Sequence, residues 1–152
     1  MVLKTNYLIK DLDELNALSK NFLQELHGLN KEFKNIIVFF EAQMGSGKTT
    51  FIRQLVKNYN PQLKVSSPTF IGMHLYENDD LDFYHYDLYQ VSLNLEEFEE
   101  ILSQEKNKII FFEWAENLDS KIKESFANNE TKIITMTIET QEDESRAIVL
   151  KI

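Results

Sequence analysis

Hydrophobic positions follow helical spacing in some stretches of the chain and strand spacing in others. Apolar residues recur every three or four positions between Asp11 and Leu26, which is typical of one face of a helix. Asp11 followed by Glu14 resembles a capping box, and Gly28 is the predicted end of this helix. A strand is predicted just before it, over Thr5 to Ile9. The pattern therefore predicts a strand followed by a long amphipathic helix.

The next stretch combines a fully apolar strand with a second helix. Ile36 to Phe40 is an unbroken run of strand-forming residues, as is typical of a strand covered on both faces of a sheet. Helical spacing returns from Lys48 to Tyr59, and Pro61 ends it. The two elements are joined by a loop that contains two glycines.

Further along the chain, two β-rich runs predict an antiparallel hairpin. Phe70 to Tyr76 and Leu81 to Leu88 flank a short polar segment, which is typical of a tight turn. Later strands are predicted at Ile109 to Phe112, Ile134 to Ile138 and Ile148 to Ile152.

A short helix is predicted between the hairpin and the later strands. Asn94 and Glu97 are expected to cap it, with Leu95, Phe98 and Leu102 facing inward. The whole pattern favours an α/β fold in three layers. We expect a mixed sheet with a parallel centre and antiparallel additions, helices on both faces, and a single domain over residues 1–152.

Composition excludes several classes of function. The chain has no cysteine, which excludes disulfides, thiolate-ligated zinc, iron–sulfur clusters and a cysteine nucleophile. The formal net charge of −9 disfavours broad contact with a nucleic-acid backbone, so any nucleic acid is expected to be held mainly by a partner. No apolar run is long enough to span a membrane, and we expect a cytoplasmic protein.

The loop from Ala42 to Thr49 carries the strongest chemical signal. It matches the P-loop pattern G-x-x-x-x-G-K-[ST], except that Ala42 replaces the first glycine. Backbone N–H groups of such a loop and the positive end of the following helix bind phosphate oxygens, Lys48 reaches the β- and γ-phosphates, and the Thr49 hydroxyl can ligate magnesium. The loop predicts that the three-layer fold is P-loop NTPase-like and that residues 1–152 form a nucleotide-binding domain. The expected nucleotide contacts are Gln43, Met44, Gly45, Ser46, Gly47, Lys48, Thr49 and Thr50.

A P-loop hydrolase also needs a carboxylate at the end of a neighbouring strand. Glu113 directly follows the apolar run ending at Phe112, where open α/β sheets bind ligands, and Asp87 lies in the hairpin. Hydroxyls between Ser66 and Thr69 either sense the γ-phosphate or cap a turn before a strand, and the residues alone favour the turn.

Four blocks in this order resemble the TsaE (YjeE) family of bacterial P-loop ATPases. They cover the core of the chain from about Ile36 to Glu116, and the four together are far more specific than any of them alone. The blocks are Met44-Gly45-Ser46-Gly47-Lys48-Thr49-Thr50, Ser67-Pro68-Thr69-Phe70, His85-Tyr86-Asp87-Leu88-Tyr89 and Ile110-Phe111-Phe112-Glu113-Trp114.

The resemblance implies an ATPase that supports the threonylcarbamoyl modification of tRNA adenosine next to the anticodon, and that acts on a complex of TsaD with TsaB. It implies ATP and Mg²⁺ as cofactors, with Thr49 and Glu113 holding the metal. It places Asp87 near the metal and the attacking water, and it gives Thr69 a switch role. The expected catalytic residues are Lys48, Asp87, Glu113 and Thr69, and the expected metal ligands are Thr49, Glu113 and Asp87. Contact with the tRNA that the resemblance implies is expected to be indirect.

The chain departs from the family at Ala42, where glycine is usual, and at Gln43, where an acidic residue is usual. Two alternatives stay open: a nucleotide sensor that does not hydrolyse, and a small-molecule kinase. The kinase is disfavoured because such enzymes usually carry several lid arginines, and Arg53 and Arg146 are the only arginines here. Neither is obviously placed as a finger, which predicts slow turnover without partners. The segment near Asp11 is the candidate for adenine contact, and the oligomeric state is left open.

Overall fold

A computed structural model describes residues 4–42, 47–63, 72–89 and 91–152. Within these ranges strands and helices follow one another along the chain. The strands are β1 (Lys4–Ile9), β2 (Asn35–Ala42), β3 (Met73–Tyr76), β4 (Leu81–Asp87), β5 (Asn107–Glu113), β6 (Thr131–Thr140) and β7 (Arg146–Lys151). The helices are α1 (Leu12–Leu29), α2 (Lys48–Tyr59), α3 (Leu95–Ser103) and α4 (Ser120–Ser125), with a 3₁₀ turn over Ala115–Asn117.

The strands form one mixed sheet in the order β1-β7-β6-β2-β5-β4-β3. The four central strands β6, β2, β5 and β4 run parallel. Antiparallel pairings flank them, β3 with β4 on one side, and β7 with β6 and β1 with β7 on the other. The predicted mixed sheet with a parallel centre and antiparallel additions is therefore confirmed.

Helices cover both faces of the sheet. Alternate residues of β2 point to opposite sides, because successive side chains of a strand do so. Val38 packs in the core beneath α1 and α2, whereas Phe39 packs with Phe98 of α3 in a second core on the other face. Both β2 residues are almost fully buried, as the unbroken apolar run predicts. The three-layer prediction is thus confirmed.

Local signals place several helix ends correctly. Asp11 caps α1, with its Oδ1 accepting from the backbone N–H of Glu14 at 2.8 Å. Asn94 caps α3 in the same way, accepting from the N–H of Glu97 at 3.2 Å. Helix α2 has the predicted bounds, ending at Tyr59 just before Pro61.

Two local predictions are wrong. Gly28 does not end α1: the helix continues to Leu29, and Asn30 closes it by donating its backbone N–H to the carbonyls of Leu26 and Gly28. The last turn of α1 thus needs no left-handed residue. Leu95 is not turned inward: it is 39% exposed, and Phe98 and Ile101 form the buried face of α3 instead.

In the described ranges, none of the helices combines the length and the apolar character needed to cross a bilayer.

Candidate nucleotide site

Three strand ends and the start of one helix converge at one edge of the sheet. Strands β2, β4 and β5 are parallel, so their carboxyl ends meet there, and α2 starts at the same edge because it follows β2. Gly47 is the residue before α2, in the left-handed conformation with φ of 100°. A side chain at this position would be strained, which explains the glycine at the junction of loop and helix.

Lys48 is the first residue of α2 and is 6% exposed. Its Nζ donates to the carbonyl oxygen of Ala42 at 3.1 Å and lies 4.0 Å from the centroid of the Trp114 ring. The amine is therefore held over the end of β2, between backbone and indole. Trp114 itself has a positive φ of 60°, an uncommon backbone conformation for a residue other than glycine. A cation held against the only tryptophan is a specific feature of this edge.

A chain of hydrogen bonds joins α2, β5 and β4. The Thr49 hydroxyl donates to Oε1 of Glu113 at 2.5 Å, and Nε2 of His85 donates to Oε2 of the same carboxylate at 2.7 Å. Glu113 and His85 are each 4% exposed. Both carboxylate oxygens are thus occupied by donors from different elements, which fixes the orientation of the side chain.

Opposing influences set the pKa of Glu113. Burial has the largest effect and by itself raises the pKa, because it disfavours the charged form. The hydrogen bonds from His85 and Thr49, together with the electrostatic attraction of His85 and Lys48, outweigh burial. The pKa therefore lies below its ordinary value, and Glu113 is a buried carboxylate held ionised near neutral pH.

Asp87 is the direct register partner of Glu113 across β4 and β5. Its own carboxylate does not bind Glu113 or Thr49, since Oδ1 accepts from the backbone N–H of Tyr89 at 3.1 Å. Its backbone N–H donates to the carbonyl of Gly72 at 2.7 Å. The structure therefore places Asp87 next to Glu113 in the sheet, while its side-chain oxygen is hydrogen-bonded to the backbone of the turn that follows β4.

His85 is the site residue whose contact the sequence did not specify. In the structure it is hydrogen-bonded to Glu113, with Nε2 and Oε2 2.7 Å apart. The available signal was the alternation of β4, which sets His85 and Asp87 on the same face of the strand. The partner itself depends on the register with β5, which no local pattern reveals.

The predicted residues differ in how far the structure describes them. Lys48, Thr49 and Glu113 are brought together, and Thr50 is exposed in the first turn of α2. The predictions for Gln43, Met44, Gly45, Ser46 and Thr69 lie outside the described residues. Their roles, and those of the assembled residues, stay predictions.

The donor set fits magnesium better than a metal held by protein alone. No group of three or more histidine and carboxylate side chains with metal-binding geometry occurs in the described part of the chain. A hydroxyl and a buried carboxylate meet at Thr49 and Glu113. Magnesium is typically bound by oxygen from one or two protein groups, with phosphates and waters completing its shell. The chemistry of these two residues therefore suits a magnesium ion that arrives with a nucleotide.

Comparison with known proteins agrees with this architecture. A model of the family described as threonylcarbamoyl adenosine biosynthesis protein TsaE matches residues 9–148. The tRNA threonylcarbamoyladenosine biosynthesis protein TsaE of Rickettsia typhi is 32% identical over 105 residues, which are 68% of this chain and 69% of that protein. The protein of the same name from Borreliella burgdorferi is 41% identical over 83 residues, 51% of this chain and 58% of its own length.

A solved structure shares the fold over almost the whole chain. The crystal structure of Bacillus subtilis YdiB superposes with a TM-score of 0.67 at 20% identity, covering 99% of this chain and 86% of that one. At this identity the likeness concerns the fold alone. The family model extends from the end of β1 into β7 and includes every described site residue. The chain therefore belongs to the TsaE family.

Proposed function

We propose that this chain binds and hydrolyses ATP with magnesium in support of the threonylcarbamoyl modification of tRNA. Membership of the TsaE family supports the place in tRNA modification, because the family and the relatives are named for it. One observation carries the ATPase part: the Thr49 hydroxyl bonded to the buried carboxylate of Glu113 at 2.5 Å, beside the amine of Lys48. These are the residue types that P-loop hydrolases use for metal and phosphate.

The residues divide the work by position. Lys48 turns from Trp114 toward the β- and γ-phosphates and offsets their charge. Thr49 and Glu113 would hold magnesium, which supplies charge neutralisation at the phosphates when it is bound. Asp87, one strand further, orients the attacking water. The oxygen of this water forms a bond to the γ-phosphorus. The bond between the γ-phosphorus and the oxygen that bridges to the β-phosphate breaks at the same time, which gives ADP and phosphate.

The proposed partner is the TsaD–TsaB complex. Neither arginine of the chain lies near Glu113 from the β4 side: Arg53 is exposed on α2, and Arg146 begins β7 at the other flank of β2. An arginine finger contributes roughly 10³- to 10⁵-fold to such reactions, so we expect slow turnover until partners bind. The net charge of −9 makes the partners, and not this chain, the main contact with tRNA.

The test is ATP hydrolysis by the purified chain with and without TsaD and TsaB. We expect slow release of phosphate alone and a large increase with both partners. Lys48→Ala should remove ATP binding, whereas Lys57→Ala, which neutralises an exposed lysine of the same helix, should leave it unchanged. Fast hydrolysis by the isolated chain contradicts partner activation, and ATP binding with no phosphate release in any mixture favours a sensor.

A further inference from the structure

Arg146 contacts the junction between the phosphate loop and α2. A Cβ placed on Gly47 would lie 3.6 Å from Nε and 4.0 Å from Cζ of Arg146, so the guanidinium rests directly against this glycine. Arg146 is the first residue of β7, paired with Ile9 of β1 and Thr140 of β6. The start of β7 thus places an arginine against Gly47, about a hundred residues earlier in the chain.

The environment of this guanidinium is unfavourable without an anion. Its Nε is sealed from water and has no hydrogen-bond partner among the described residues. A buried donor without an acceptor is costly, more so when it is charged. The group also lies beside Gly47 at the positive end of α2, where a cation is repelled. A phosphate in the loop removes both penalties, since it supplies acceptors and negative charge.

The sheet order indicates which part of a nucleotide Arg146 faces. The loop leaves β2; Glu113 and Asp87 lie on the β5–β4 side of that strand, and Arg146 lies on the β6–β7 side. In P-loop proteins the metal and the γ-phosphate lie beside the carboxylates at the strand ends. The backbone of a P-loop binds the α- and β-phosphates. The other flank therefore faces the end of the triphosphate that continues into the nucleoside.

We propose that Arg146 is a nucleotide-binding residue whose guanidinium contacts the α- and β-phosphates, on the flank of the loop opposite Glu113. This assignment rests on the proposed nucleotide binding and deepens it, because it names a phosphate contact outside the loop sequence. It also distinguishes Arg146 from an arginine finger. A finger acts on the γ-phosphate, whereas this contact is made equally to ATP and to ADP.

The experiment measures ATP and ADP binding to Arg146→Gln by calorimetry, with magnesium present. We expect both affinities to fall by the same factor, about tenfold to a hundredfold, as for loss of a charged hydrogen bond. Arg146→Lys keeps the charge and should lose less. Arg53→Gln is the matched control, because it neutralises the other arginine, which is exposed, and it should bind as the unaltered chain does.

The outcomes separate the inference from the function on which it rests. Unchanged affinity of a folded Arg146→Gln chain, with normal circular dichroism, overturns the inference and leaves nucleotide binding intact. A loss for ATP alone also overturns it, because the contact would then be to the γ-phosphate. If the unaltered chain binds neither nucleotide, the proposed function fails as well. If Arg146→Gln does not fold, Arg146→Lys answers the same question. Equal nucleotide affinities of the Arg146→Lys chain and the unaltered chain contradict a bidentate contact of the guanidinium with the phosphates.

Discussion

The imidazole of His85 and the carboxylate of Glu113 form a buried pair, with Nε2 and Oε2 2.7 Å apart. The two residues come from neighbouring parallel strands, β4 and β5, and the bond runs between side chains on the same face of the sheet. The imidazole occupies one carboxylate oxygen and leaves Thr49 to occupy the other. His85 thus orients the carboxylate proposed to hold magnesium.

Replacing His85 with alanine should shift the pH dependence of ATP hydrolysis. The hydrogen bond from His85 lowers the pKa of Glu113 and helps to outweigh burial, so its loss raises that pKa. The proposed magnesium site requires the ionised carboxylate of Glu113, so the acidic limb of the pH–rate profile should move to higher pH. The measurement is magnesium-dependent phosphate release across the acidic range.

His74→Ala provides the matched control for this prediction. His74 faces His85 across β3 and β4, with ring centroids 5.8 Å apart, but it is exposed and does not bind Glu113. Its loss should leave the acidic limb in place. Identical pH profiles for His85→Ala and the unaltered chain contradict a role of His85 in setting the charge of Glu113.

Replacing Glu113 with glutamine should remove most of the magnesium dependence. The amide keeps the size of the side chain but loses the charge that a divalent cation requires. We expect ATP hydrolysis to fall by on the order of a hundredfold, since metal stabilisation contributes several kcal/mol. Titration of activity with magnesium checks this. Glu116→Gln makes the same change at an exposed position three residues on, and a comparable loss there would argue against a specific metal ligand.

The single tryptophan should report nucleotide binding by fluorescence. In the structure the Lys48 amine lies 4.0 Å from the Trp114 ring centroid, and phosphates are expected to attract that amine away. Emission should therefore change as ATP or ADP is added. Lys48→Ala should alter the emission without nucleotide and abolish the response. Constant emission at nucleotide concentrations that saturate binding by calorimetry rules out this movement of Lys48.

A buried lysine at the other end of β5 predicts how stability changes with pH. The Nζ of Lys108 donates to Oδ1 of Asn35 at 2.8 Å and to the carbonyl of Gln104 at 2.7 Å. Burial, and to a smaller extent the charge of Lys34, lower its pKa to about 8, and nearby carboxylates only partly oppose this decrease. These carboxylates belong to Asp82, Glu105 and Glu130.

The unfolded chain therefore binds more protons at Lys108 than the folded chain does, from about pH 8 up to the ordinary lysine pKa of 10.5. In that window the free energy of unfolding should rise with pH, by at most about 1.4 kcal/mol per unit from this group. Burial raises the pKa of Tyr84 to about 12, which gives an opposite trend once unfolded tyrosine ionises near pH 10. Denaturation should thus be followed from about pH 8 to 9.5.

Lys108→Met should remove the rise of the unfolding free energy with pH. Lys121→Met, at an exposed position, should keep that rise. An unfolding free energy of the unaltered chain that stays flat over this range contradicts a neutralised amine at Lys108.

The sequence predicted the elements that carry strong local signals. Helix α2 was bounded correctly because a glycine precedes it and Pro61 follows it, and β2 was predicted because a strand buried on both faces must be apolar throughout. The predictions that Gly28 ends α1 and that Leu95 faces inward are wrong. Tertiary position, and not residue type, decides whether a helix continues and which face it buries.

Contacts at the site were predictable only in part. Family resemblance joined Thr49 with Glu113 as metal ligands, and the structure brings the two side chains into contact. The contacts of Glu113 with His85 and of Gly47 with Arg146 join distant parts of the chain. Each depends on strand order and register, which residue types in one short window do not encode.

The position of β2 at the centre of the sheet has a consequence for how the protein is made on the ribosome. Both neighbours of β2, which are β5 and β6, are synthesised long after it. Among the described strands, the sheet neighbours that are also consecutive in sequence are β3 with β4, β4 with β5, and β6 with β7. Strand β2 therefore stays unpaired until β5 has been synthesised. Contacts between segments this far apart in sequence form slowly, and the apolar faces of β2 stay exposed in the meantime. The phosphate loop follows β2 in sequence, so the strand that supports it is fully paired only after both β5 and β6 have been synthesised.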